Sequence, residues 1–340
     1  MAWYALAACA VAASYVVVAA LLYALFSRYL GGPAVAPWQF YGWVAAALGG
    51  CILTVSLYRL WQWRDAGPAI AELLGARYIE SGSCTLTERK LLNVVEEMAV
   101  AARIAAPPVY LLDRERGVNA LVAGYSPEEA VIIATAGLAE QLSRDELQGV
   151  MGHEYSHILN GDMALNVRLA AILGGLTWLR ERGEALVLEV GEEMRREKPE
   201  DRGVGALAAV AGAALAFIGF PGTLAAEAIK AAISREREFL ADAASVQFTR
   251  NPEGIAGALD TLLARHVPTT IGAAYVSTLS HMFFAPAVAS WWFPTHPPLE
   301  ERIRRVDPRF QRADYRARRH GIQHEIAVLD GAGNVVRTIS

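Results

Sequence analysis

Charge is scarce in this chain. Only 19% of its 340 residues are Asp, Glu, Lys or Arg, while 54% are hydrophobic and the mean hydropathy is +0.26. Composition of this kind points to membrane segments joined to a sizeable folded domain. A basic excess is also missing: the net charge is −4, which argues against a nucleic-acid binder. Cysteine is nearly absent. Cys9, Cys51 and Cys84 are the only three, two of them sit in apolar runs, and none has ligand-like spacing. That excludes a disulfide framework and fits a reducing compartment for the soluble part.

Long uncharged runs are present instead. Ala2 to Phe26 carries no charge and is long enough at helical rise to cross about 30 Å of hydrocarbon. No basic residue precedes it and a second run follows, which argues against a secretory signal peptide. Tyr41 to Tyr58 is again uncharged, with Trp38, Tyr41, Trp61 and Trp63 near its ends like interfacial aromatics. Joined by the Gly31-Gly32-Pro33 turn, the two runs predict a transmembrane hairpin. Arg59 and Arg64 against a lone Arg28 put the following domain on the cytoplasmic side. Leu169 to Leu179 is a third apolar run, about 16 Å long as a helix and so short for a span. Arg180 to Arg202 has mixed charge and reads as a solvated loop. Val204 to Ala226 is a further span candidate, kinked at Pro221.

Between these runs lies a folded unit. Thr85 to Glu88 has capping-box spacing before an amphipathic helix that runs to about Ile104. Val109 to Leu112, Val118 to Ala123 and Ala130 to Thr135 are β-branched runs separated by turn residues. They predict a small sheet with an edge strand to which an extended peptide can add. Ser143 to Glu146 is a second capping box, and the helix it opens contains His153-Glu154-Tyr155-Ser156-His157.

Two histidines four apart share one helix face, so both imidazoles can reach one metal. The glutamate beside the first can take a proton from a water held there. Leu147, Val150, Met151, Ile158 and Leu159 make the rest of the helix apolar, so it should be buried, and buried histidines and carboxylates need partners. Further on, Glu238 and Asp242 are four apart in Ser234 to Asp242. That spacing suits a carboxylate ligand one turn from a carboxylate that orients a histidine, or equally a surface ion-pair network. His296 stands before Pro297-Pro298, with Arg302 about two turns on; by themselves they read as a capping histidine and a surface arginine. Ser280 to Trp292 is rich in aromatics, Phe310 to His320 is basic, and Ile326 to Leu329 with Val335 to Ile339 reads as a terminal hairpin.

Taken together, Val118-Asn119-Ala120, His153 to His157 with Asn160-Gly161-Asp162, Ser234 to Asp242, and Thr295-His296-Pro297-Pro298 through Arg302 resemble the HtpX-like membrane zinc metallopeptidases, relatives of the CAAX prenyl endopeptidases. The likeness runs from about Leu91 to Val306. It implies an α+β, mainly α fold: a zincin-type (gluzincin) catalytic domain with a small mixed sheet, fused to an N-terminal transmembrane hairpin and two further hydrophobic helices. The expected division is 1–62 for the hairpin, 63–166 and 234–308 for the two parts of the peptidase domain, 167–233 for the third and fourth hydrophobic helices, and 309–340 for the C-terminal tail.

The resemblance further implies that His153, His157 and Glu238 bind one Zn2+ per chain and that Glu154 is general base and acid. Asp242 would orient His153. Asn119 and Ala120 would hold the substrate backbone, His296 would stabilise the tetrahedral intermediate, and Arg302 would lie near the substrate. Substrates would be polypeptides, membrane proteins among them, met at a multi-pass bacterial or archaeal cell membrane with the site facing the cytoplasm. Two departures stand out: Leu121 follows Ala120 where the family pattern has an aromatic, and the third hydrophobic segment is short. The competing expectation is a membrane-anchored, chaperone-like polypeptide-binding scaffold with a structural zinc. It is disfavoured because structural zinc sites close with four protein ligands and only three are identifiable.

Overall fold

The computed structural model describes residues 38–196, 203–265, 279–286, 296–324, 327–329 and 335–338, with 16, 20, 23–24 and 27–28 of the N-terminal run. The first expected span, Ala2 to Phe26, therefore lies outside the described residues apart from those few, as do Trp291 and Trp292.

The chain runs through helix α1 (Trp38–Gln62), α2 (Ala66–Leu73), the short strand β1 (Arg77–Tyr78), α3 (Leu86–Ala102), β2 (Val109–Leu112), β3 (Ala120–Ala123), β4 (Val131–Thr135) and α4 (Ala136–Gln141). Then come α5 (Arg144–Leu159), α6 (Asp162–Arg196), α7 (Gly203–Thr249), α8 (Pro252–Arg265), α9 (Leu299–Val306), α10 (Arg312–His324) and the hairpin β5 (Ala327–Leu329) with β6 (Val335–Thr338).

The four-stranded sheet has the order β1-β2-β4-β3 and is mixed: β2 and β4 are parallel, the outer pairs antiparallel. Strands β2, β3 and β4 are largely apolar because both of their faces are covered, whereas the edge strand β1, Arg77–Tyr78, is exposed. Ala120, Val122, Ile132 and Ala134 face a core shared with α3, α5 and α8, while Leu121, Ala123, Val131 and Ile133 face Trp63, α2 and the start of α6. Strand β3 forms one edge.

Both capping boxes form as read. The Thr85 and Ser143 hydroxyls accept the amides of Glu88 and Glu146, whose carboxylates accept the cap amides in return. Glu146 is wholly buried and also accepts from Thr261 at 3.1 Å, Tyr315 at 2.9 Å and Arg319 at 3.0 Å. The basic C-terminal helix is thereby docked on the start of α5. Gly149 of α5 allows α8 to cross in contact: a Cβ there would meet the Ile255 amide nitrogen at 2.5 Å.

Helices α1 and α7 are long and apolar enough to cross a membrane by length and composition. Trp38, Trp43, Leu53, Leu57 and Trp61 of α1 and Val204, Leu207, Val210 and Phe217 of α7 present their side chains outward, as lipid-facing residues do. A buried ion pair, Arg59 to Glu181 at 2.6 Å, ties α1 to α6. One expectation is corrected. Residues from Arg180 to Arg196 are not a loop but the second half of α6, which spans 35 residues. Mixed charge here supports a helix, because Arg180 and Glu184 pair at i, i+4 and Glu181 turns inward to Arg59.

Candidate metal centre

Helix α5 supplies His153, Glu154 and His157, and α7 lies against it with Glu238 and Asp242 on the facing side; all five are buried. Each histidine is turned by a carboxylate. His153 Nδ1 donates to Asp242 Oδ1 at 2.9 Å, and His157 Nδ1 donates to Asp162 Oδ2 at 3.1 Å. With the proton on Nδ1, both Nε2 atoms present lone pairs, and these face one another at 3.1 Å. The Glu238 oxygens lie 3.6 Å from His157 Nε2 and 3.9 Å from His153 Nε2.

Two lone pairs and a carboxylate converging in a buried space repel unless a cation lies among them. One ligand atom from each of the three residues falls within 4.8 Å of the others. Two imidazoles on one tetrahedral zinc, with Zn–N of about 2.0–2.1 Å, stand ~3.3 Å apart, close to the separation found. Among the described residues, this set of three donors therefore fits a zinc-sized divalent cation.

Glu154 is 1% exposed, and neither carboxylate oxygen has a hydrogen-bond partner among the described residues. Burial pushes its carboxyl up to about 8, with the Glu238 charge adding to the effect and His157 and Arg302 opposing it. Burial likewise lowers His153, which keeps it in the neutral form a ligand needs. For Glu238 burial acts upward, but the charges of His296 and Arg302 hold the carboxyl well below the usual range. Asp242 is also held low against burial, by Arg302 first.

Arg302, expected beside the substrate, is wholly buried behind the histidines. Its Nε and Nη2 donate to Asp242 at 2.8 and 2.7 Å, and Nη1 donates to the Phe284 carbonyl at 3.0 Å and lies 3.2 Å from Glu238. His296, expected to meet the reacting carbonyl, has Nδ1 3.1 Å from Glu238 Oε2 and Nε2 3.3 Å from the Ser280 carbonyl. Asn119 and Ala120 stand at the start of the edge strand, where Asn119 donates to and accepts from the backbone of Ala285.

Asp162 has no role in the sequence reading. Gly161 adopts φ 71°, in the left-handed region that glycine favours, and the chain turns back so that Asp162 opens α6 against His157. Arg237 donates to its other oxygen. Both histidines are thus set the same way, His153 through Asp242 and Arg302, His157 through Asp162 and Arg237. The available signal was Asn160-Gly161-Asp162 directly after the helix. Carboxylates of this kind typically contribute about tenfold to a hundredfold in metal affinity, so Asp162→Ala is expected to bind zinc that much more weakly in competition with a chelator. Unchanged affinity would show that Asp162 does not position His157.

Comparison with known proteins identifies the arrangement. Residues 85–309 match the profile of Peptidase family M48. A protease HtpX homolog from Streptococcus gordonii is 33% identical over 280 residues, 78% of this chain and 88% of that one. Another, from Streptococcus pneumoniae serotype 19F, is 34% identical over 278 residues with the same coverage. Among solved structures, the crystal structure of S. mikatae Ste24p aligns over 78% of this chain and 64% of that chain with a TM-score of 0.42 and 17% identity. The family match spans the helix with the two histidines, the Glu238 segment and Arg302, so the chain belongs to peptidase family M48 and is a membrane metalloprotease of the HtpX type.

Proposed function

We propose that the chain is a gluzincin-type zinc endopeptidase, multi-pass in the membrane, that cuts polypeptides, membrane proteins among them, at a site on the cytoplasmic side. The observation that carries this reading is Glu154: a buried carboxylate without a hydrogen-bond partner among the described residues, one residue from a histidine whose lone pair faces that of His157. A structural metal site has no use for such a group, whereas a general base needs to be kept free. This favours the enzyme over a scaffold with a structural zinc.

In this reading His153, His157 and Glu238 hold one zinc. Zinc, when bound, supplies Lewis acidity at the open position. Glu154 takes the proton of the attacking water and later returns it to the leaving amine nitrogen. Its raised affinity for protons suits both halves of that task. Asn119 and the Ala120 carbonyl hold an extended substrate along the β3 edge. His296 braces Glu238 through Nδ1, and its Nε2 reaches the developing oxyanion once it leaves the Ser280 carbonyl. Arg302 acts from behind the site by fixing Asp242. Residues 1–62 form the hairpin, 63–166 and 234–308 the peptidase unit, 167–233 the remaining membrane-associated helices, and 309–340 the tail. The balance of Arg59 and Arg64 against Arg28 supports a cytoplasmic site.

Casein cleavage by detergent-purified protein tests the reading. Treatment with a chelator is expected to abolish cleavage and added zinc to restore it. Cleavage that persists in metal-free protein would overturn the assignment.

A further inference from the structure

The sheet edge beside the metal centre is already filled by the chain itself. Phe283 bridges Leu121 in antiparallel fashion, and the Phe284 amide donates to the Ala120 carbonyl at 2.8 Å. One residue on, the Asn119 side chain takes both backbone groups of Ala285: Nδ2 donates to its carbonyl at 3.0 Å, and Oδ1 accepts its amide at 3.1 Å. At the other end the Ser280 carbonyl accepts from His296 Nε2 at 3.3 Å, and the Phe284 carbonyl accepts from Arg302 at 3.0 Å. The Phe284 ring stands edge-on to His153, 5.1 Å between centroids.

These partners are informative. Asn119, Ala120 and His296 are the groups assigned above to a substrate, and all three are spent on backbone atoms of residues 280–285. Each is buried, at 0%, 1% and 3% exposure, so no second polypeptide reaches them in this state. Phe283 and Phe284 add to β3 as an extended guest strand does, through one antiparallel bridge and one main-chain bond, and the Asn119 side chain continues the pairing at Ala285; residues 280–282 form a 3-10 turn that carries the Ser280 carbonyl to His296.

We propose that residues 280–285 are an internal pseudosubstrate strap that occupies the peptide groove, so that a substrate binds by displacing it from β3. The strap holds the enzyme latent, and a substrate's extended backbone replaces its bonds to Ala120, Asn119 and His296. This rests on the peptidase reading given above. Because the groove opens only in the strap-free fraction, apparent substrate affinity is reduced by that fraction.

The test is a reversible lock. Leu121 and Phe283 are flanked by the Ala120–Phe284 bond, which makes them a non-hydrogen-bonded pair with Cα atoms ~4.5 Å apart, within disulfide reach. Leu121→Cys with Phe283→Cys is made in full-length protein carrying Glu154→Gln and alanine at Cys9, Cys51 and Cys84. Binding of fluorescent casein is then measured in detergent, oxidised and reduced. Expected is a loss of about tenfold or more in affinity on oxidation, recovered with reductant. Equal binding in the two states would overturn the strap, because a permanent groove wall is indifferent to being stapled. If the pair does not fold when reduced, Ala285→Pro in the Glu154→Gln protein carries the test. It removes the amide that Asn119 accepts, so tighter casein capture supports the strap, and unchanged or weaker capture overturns it. Binding is read without cleavage, so failure of the strap is distinct from failure of the peptidase reading, which wild-type casein cleavage tests separately.

Discussion

Glu154→Gln is expected to lower peptide hydrolysis by about a hundredfold to ten-thousandfold while leaving metal binding intact. Glutamine keeps the shape of the side chain and occupies the same buried space, so α5 and its histidines are not disturbed. What it loses is the ability to accept a proton. Because neither Glu154 oxygen has a hydrogen-bond partner among the described residues, the substitution breaks no internal bond. It also removes a carboxyl that burial disfavours in its charged form, so folding should be unaffected or slightly improved. Casein cleavage measured beside zinc content separates the two effects. A variant that cleaves at the wild-type rate would remove Glu154 from the mechanism, and one that loses zinc would make it a structural group.

Arg302→Met is expected to destabilise the fold by about 3–5 kcal/mol, the cost of leaving a buried charge without its partner. Arg302 is wholly buried, and two of its nitrogens clasp Asp242 while a third lies near Glu238. Methionine fills most of the volume but leaves Asp242 charged beside His153 with its main counter-charge gone. The Asp242 carboxyl, held low by Arg302 against the upward pull of burial, then rises toward protonation. Thermal unfolding in detergent should show the loss as a lower melting temperature, with weaker zinc retention. Lysine is expected to rescue little, since a point ammonium cannot span both carboxylate oxygens in one plane. A melting temperature and zinc affinity equal to wild type would show that the pair carries no net stabilisation.

Much of the site was legible in the sequence because its signals are local. The Ser143 capping box, the apolar positions around His153 and His157, and the four-residue step from Glu238 to Asp242 all follow from helical geometry within one element. The β-branched runs were legible for the same reason, and β2 has the expected bounds. What sequence could not give is which distant segments meet. Arg302 reads as a surface arginine because Glu300, Glu301, Arg304 and Arg305 surround it; its burial is decided by α9 packing beside α7 and α8. Asp162 becomes a histidine partner only through the turn at Gly161. Helix α6 beyond Arg180 is not legible in the sequence, because charge alone does not distinguish a solvated loop from a helix whose charges pair along it. The edge strand was anticipated, but its own-chain partner at Phe283 joins residues far apart in sequence, and no local pattern announces that pairing.

The most direct test of the account is the zinc content of detergent-purified wild-type protein beside Glu154→Gln and Glu238→Ala. About one zinc per chain is expected in the first two and loss of most of it in the third, because two histidines alone leave the site a ligand short. Wild-type protein that cleaves casein with no bound metal, or Glu238→Ala that keeps its full zinc, would contradict it.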